Sequence, residues 1–205
     1  MISAQEALHQ LREGNLRFAS GQAGTDPINS QGHDRRWTDG QAPFAVVLGC
    51  SDSRVPVEVV FDQGFGSLFV IRVAGNIVAP SQIGSIEFAA ERFGTRLVVV
   101  LGHTQCGAID ATLEVLRSPA GKPSPNLMSI VDRVRPSVEG LLGTDLARDD
   151  ATLARAAERA NVRASVSHLK HGSRVLEDLI QKDGLLVVGA QYDLETGLVD
   201  FFYGA

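Results

Sequence analysis

The chain has 205 residues, enough for one domain with a real core, and its apolar and charged fractions are those of an ordinary globular protein. A net charge of −5 and a pI near 5.5 argue against nucleic acid or an anionic membrane as the partner. Two cysteines are too few for a disulfide scaffold, so they read as core, catalytic or metal-bound thiols.

In chain order, Ala4, Ala7, Leu8 and Leu11 fall on one face of a predicted helix. The opening lacks the basic start and long apolar stretch of a secretory signal. No segment reaches the roughly 18 apolar residues of a membrane span, so a cytoplasmic location is expected. The polar, Gly-rich segment 21–41 reads as a loop or arm. Four short apolar runs follow: "FAVVLGC" (44–50), "SLFVIRV" (67–73), "RLVVVLGH" (96–103) and "LLVVGAQY" (185–192). Each is continuous rather than alternating, the pattern of strands buried on both faces.

Predicted helices over 81–93 and 106–116 separate these runs, and such spacing implies a parallel sheet flanked by helices. "RSPAGKPSPN" (117–126) reads as a loop, 127–182 as two or three helices, and "DG" at 183–184 as the turn into the last buried strand. The closing "LETGLVDFFYGA" adds a strand expected to be antiparallel at an edge. The expected architecture is a single α/β domain over 1–205, with an N-terminal helix and arm over 1–42 and a mostly parallel core over 43–205. The apolar "LVDFFY" end and the N-terminal helix read as surfaces needing a partner.

Chemistry concentrates in "VVLGCSDSRVP" and "VVVLGHTQCGAID". Cys50 follows the first buried strand, His103 ends the third, and Cys106 opens the next helix. Ligands of open parallel sheets gather beyond the carboxyl ends of the strands, so three side chains would share one crevice if those strands are neighbours. Two thiolates and an imidazole suit zinc and leave a fourth position open. Taken singly, Cys50 reads more readily as a core residue, and His103 with Cys106 as readily so; their coincidence at equivalent strand exits indicates a metal or redox site. Asp52 and Arg54 alternate in an extended segment and can pair beside Cys50. A carboxylate there can ligate the metal or hydrogen-bond its water, and Arg54 can hold it off by a bidentate contact.

Two thiolates would cancel the formal charge of zinc, so the pKa of its water should lie above about 7 and activity should climb on the alkaline side. Histidine is the residue type suited to proton export, and His33, His168 and His171 are candidates, but "SVSHLKHGSR" reads as a solvated helix and His33 lies in the arm. No shuttle is assigned. Gly64 and Gly66 precede a strand rather than open a helix, the wrong order for a phosphate loop.

"CSDSRVP" followed by "GHTQCGA" resembles the bacterial β-class carbonic anhydrases. The resemblance extends through "LREGNLRFASG", "GQAPFAVVLGC", "FVIRVAGN" and "VVGAQYDLETG", most of the chain. It implies one zinc ion per chain on Cys50, His103 and Cys106, with Asp52 and Arg54 as the catalytic dyad. It also implies reversible hydration of carbon dioxide to bicarbonate and a proton, by attack of zinc-bound hydroxide. Gln41 and the backbone amide of Gly107 match substrate-binding positions, and Phe69 and Phe88 match apolar pocket positions; some relatives carry Tyr at the latter. In some relatives the carboxylate at the Asp52 position becomes a fourth ligand in an inactive low-pH state.

Such proteins are homodimers or homotetramers with active sites at the subunit boundary. A second bicarbonate pocket in some bacterial relatives uses Trp, Arg and Tyr. Arg72 and Tyr192 match, but Val47 replaces the Trp, so Arg72 is expected instead to be buried beside a carboxylate. Two other functions are compatible with the residues: a zinc hydrolase of carbonyl sulfide or carbon disulfide, and a non-catalytic zinc-binding or thiol-redox protein.

Overall fold

The computed structural model describes residues 2–24, 40–118 and 123–205. His33, most of the 21–41 arm and residues 119–122 lie outside that description. Each apolar run forms a strand: β1 (Ala45–Gly49), β2 (Leu68–Arg72), β3 (Leu97–His103) and β4 (Leu186–Tyr192), with β5 (Val199–Tyr203) closing the chain. They form one sheet in the order β2-β1-β3-β4-β5, parallel except for the antiparallel β4–β5 pair. After β1 the chain places β2 on one side of it and then crosses to lay β3 on the other. The crevice between β1 and β3 is therefore the switch point at which α/β sheets bind ligands.

One face of the sheet packs Val47, Val99, Leu101 and Val188 against α1 (Ala4–Ala19) and α2 (Val57–Val60). The other packs Val46, Leu48, Val98 and Val100 against α3 (Pro80–Arg92), α6 (Asp150–His171) and α7 (Arg174–Lys182). Beyond the strand ends, α4 (Gly107–Arg117), α5 (Pro125–Val138) and α6 close a third cluster around Cys50 and Cys106. The stretch 127–182, expected to hold two or three helices, holds α5, which already begins at Pro125, α6 and α7, with 3-10 turns at Glu139–Gly143 and Asp145–Arg148 between the first two.

The N-terminal helix differs from expectation. Ser3 and Glu6 form a reciprocal capping box, and Ala4, Ala7, Leu8 and Leu11 are buried on the chain's own sheet beside Val199 and Phe201 of β5. Burying each such leucine contributes about 1.5–3 kcal/mol, a sufficient reason for the helix to fold back rather than await a partner.

Two glycines set how closely α6 approaches the sheet. A Cβ on Gly102 would lie 2.6 Å from Val162 Cγ2, and one on Gly189 would lie 2.8 Å from Val162 Cγ1. Their bareness lets α6 sink onto β3 and β4. Among the described residues no helix is long and apolar enough to cross a membrane.

Candidate metal centre

Strands β1 and β3 pair in register up to Gly49 and Leu101, so both give out at nearly the same level. Cys50, His103 and Cys106 meet there, all buried, with their ligand atoms within 4.8 Å of one another. His103 Nδ1 lies 2.9 Å from the Thr104 carbonyl, which places the proton on Nδ1 and a lone pair on Nε2. That Nε2 is buried and has no hydrogen-bond partner among the described residues. Leaving a buried acceptor bare costs about 1–3 kcal/mol, and a cation between this nitrogen and two sulfurs removes the penalty. The donor set and its spacing fit zinc, with one vertex left over.

The sulfurs are prepared for that role. The Gly75 amide donates to Cys50 Sγ at 3.3 Å, and the Asp52 amide also faces it. Cys106 stands at the N-terminus of α4, where the amides of Ala108 and Ile109 point at its sulfur. The hydrogen bond from Cys106 pulls the Cys50 thiol down, and the same bond drives Cys106 up.

Arg54 grips Asp52 with two prongs, Nε to Oδ1 at 2.9 Å and Nη2 to Oδ2 at 2.7 Å, and its own amide adds a third bond at 2.9 Å. Arg54 thereby holds the Asp52 carboxyl far below the usual carboxylate range. Asp52 Oδ2 lies 3.9 Å from His103 Nε2, beside the unused lone pair. Arg54 Nη2 also donates to the Gln105 carbonyl at 3.0 Å, tying the dyad to the turn between the ligands.

Among the described residues Arg72 makes no ion pair, and it is not buried as expected. Arg72 is exposed, and its guanidinium donates to the main-chain carbonyls of Cys50 and Asp52. It braces the segment after β1, and carbonyl acceptors of that kind leave no trace in a sequence. Val47 and Tyr192 are buried in the core, Tyr192 with its ring 6.4 Å from Phe18. His168 and His171 are exposed on α6, as their polar surroundings imply.

The positions that the resemblance assigns to substrate binding divide. Gly107 is the exposed first residue of α4, next to Cys106. Phe69, in contrast, pairs with Val46 near the start of the strands, about 13 Å back along β1 from Cys50. Phe88 on α3 stacks near it, centroids 6.3 Å apart, with Phe93 completing an aromatic trio; Phe88 remains 52% exposed. Gln41 is exposed in the segment leading into β1. One chain therefore gathers Cys50, His103, Cys106, Asp52, Arg54 and Gly107 at the carboxyl end of the sheet. It leaves Gln41, Phe69 and Phe88 at the amino end.

One buried residue beside the centre escaped the sequence reading. Glu158 on α6 is only 3% exposed; it accepts from the Cys106 amide at 3.3 Å and from Gln191 Nε2 at 2.9 Å. Burial pushes its carboxyl up. Its signal was its phase: stepping back four residues from Val162, in the core-facing series with Val166 and Leu169, lands on Glu158.

Comparison with known proteins agrees with this geometry. A sequence model described as carbonic anhydrase matches residues 45–199. Carbonic anhydrase 2 of Mycobacterium tuberculosis is 38% identical over 187 residues, covering 91% of this chain and 87% of the relative. The carbonic anhydrase of Mycolicibacterium smegmatis is 40% identical over 195 residues, covering 93% and 89%. Among solved structures, a tetrameric β-carbonic anhydrase of Sordaria macrospora superposes with a TM-score of 0.72 at 25% identity, covering 96% and 97% of the two chains. A Coccomyxa β-carbonic anhydrase in complex with acetazolamide gives 0.71 at 27%, covering 95% and 86%. With the family model spanning most of its length and the zinc-fitting cluster at its switch point, the chain belongs to the β-carbonic anhydrase family.

Proposed function

We propose that this chain catalyses the reversible hydration of carbon dioxide to bicarbonate and a proton, at a zinc centre on Cys50, His103 and Cys106. The observation that carries the reading is the buried, unpartnered Nε2 of His103 facing two cysteine sulfurs, with the Asp52–Arg54 pair beside it. A thiol-redox pair needs neither that bare nitrogen nor a clamped carboxylate. Zinc held there supplies the nucleophile, because it lowers the pKa of the water it binds.

The chain's own residues orient the reaction. Asp52, ionised and accepting at both oxygens, aims the attacking water's lone pair at the carbon of carbon dioxide. Arg54 fixes Asp52 by its two-pronged grip. To enter the fourth vertex Asp52 would have to release three donors of Arg54, so the Arg54-bound form is the working one. At the N-terminus of α4, the Gly107 amide offers a donor to the oxygens of the developing bicarbonate.

The apolar wall and the Gln41 donor lie too far along the sheet to serve the same chain's metal. In this reading a second copy supplies them, with Gln41, Phe69 and Phe88 of the partner subunit set over the zinc. An uncharged, non-polar substrate needs such a wall, and Phe88, half exposed beside the partly buried Phe69 and Phe93, needs a cover. The working unit is a homodimer or a pair of such dimers.

Metal content and stopped-flow hydration test the assignment together. One zinc per chain with carbon dioxide turnover is the expected result. A chain that binds zinc but turns over only carbonyl sulfide or carbon disulfide would move the substrate assignment. One that binds none would end it.

A further inference from the structure

We propose that Glu158 is a positioning residue for the metal: its buried carboxylate holds the turn from His103 to Cys106 in the shape that aims the Cys106 sulfur. The inference rests on the zinc reading of the cluster.

Only two residues separate the ligands, and the reversal is made by Gln105, whose φ of +57° lies in the left-handed region. Glutamine rarely adopts it, and the exposed Gln105 side chain does nothing to enforce it. Glu158 does. Its Oε1 accepts from the Cys106 amide at 3.3 Å, and the Gln105 amide faces the same carboxylate. Successive amides converging on one anion form a nest, which favours this backbone shape. From the solvent side Arg54 Nη2 holds the Gln105 carbonyl, so the turn is gripped from both sides.

Residue type matters at 158. Three donors converge on it, counting Gln191 Nε2 on the other oxygen. A glutamine there would turn its own amide protons on one of them.

Helix α6 sets the reach. Val162, one turn onward, rests on bare Gly102 and Gly189, which fixes how deep the helix lies. The same helix face carries Asn161, donating to the Gly75 carbonyl at 2.8 Å, and Ser165, donating to the Asn76 carbonyl at 3.2 Å. Because the Gly75 amide bonds Cys50 Sγ, α6 braces both thiolate loops from behind.

The test compares zinc affinity, by chelator competition, for the full-length parent, Glu158→Gln, Gln105→Gly and the double variant. The melting temperature of each metal-free protein is recorded alongside. Glu158→Gln is expected to lower affinity about ten- to a hundredfold. Adding Gln105→Gly should return about fivefold or more, because glycine takes the left-handed shape freely. In the cobalt-substituted proteins the thiolate-to-cobalt band should weaken and recover in step. Should Glu158→Gln not fold, Glu158→Asp, charged but one methylene short, carries the same comparison. An affinity within about twofold of the parent, or a loss that Gln105→Gly leaves untouched, overturns the proposal while leaving the zinc centre standing. A parent that takes up no zinc overturns the centre itself.

Discussion

The two ends of the sheet are built to different standards. At the carboxyl end, Cys50, His103 and Cys106 are buried, and amides, carbonyls and the Asp52–Arg54 clamp fix their surroundings from within one chain. At the amino end, Phe69, Phe88 and Phe93 form an aromatic patch that solvent still reaches, and Gln41 is exposed on the approach to β1. Reactive atoms demand fixed geometry and get it locally. In the proposed reading the aromatic patch is a wall for a small apolar gas, and such a wall demands only cover, which a second copy would provide.

The sharpest way to break this contrast is at the finished end. His103→Ala or Cys106→Ser is expected to lose zinc and to cut kcat/KM at least about a thousandfold, read by metal analysis and stopped-flow hydration. Retained zinc with near-parental rates would show that the cluster is not the reacting centre. Next in size, Asp52→Asn or Arg54→Ala should lower kcat/KM by about a hundred- to a thousandfold with one zinc per chain retained.

Gln41→Ala tests the unfinished end. It should keep its zinc and lose about ten- to a hundredfold in kcat/KM. Mixing it with Cys106→Ser under conditions that exchange subunits should then restore up to about a quarter of parental activity, because each hybrid dimer holds one whole site. A mixture no more active than the sum of its components would place Gln41 beside its own chain's zinc.

The smallest effect is in the pH profile. Because Arg54 depresses the Asp52 pKa, the stabilisation from that pair is complete above the ordinary carboxylate value near 4. It is lost only as pH falls through the lowered one. Asp52 therefore stays ionised throughout the neutral range. Activity should rise along a single limb with a midpoint above about 7, set by water on a metal whose charge two thiolates offset. A second limb near pH 5 in kcat/KM would show that the Arg54 clamp is weaker than its geometry implies.

Much of the finished end could be read directly from residues 46–56 and 98–110. Continuous apolar runs reveal strands, and a thiol or imidazole at a strand exit has one direction to face once β1 and β3 are neighbours. Glu158 was hidden because a glutamate in a polar helical stretch looks solvated until tertiary packing shows which face is inward. Arg72 was misjudged because its partners are main-chain carbonyls. The short α2 helix and the Ala74–Asn76 turn were invisible for lack of length, although Gly75 within that turn supports Cys50. The resemblance assigns Phe69 and Phe88 to a substrate pocket, and only the register shows that they lie at the far end of the strands.

The division between the ends also reaches into how output depends on abundance. In the proposed reading a lone chain holds all three donors that capture its ion, so dilution would leave it metallated but silent. Turnover per milligram should then climb with concentration until assembly saturates.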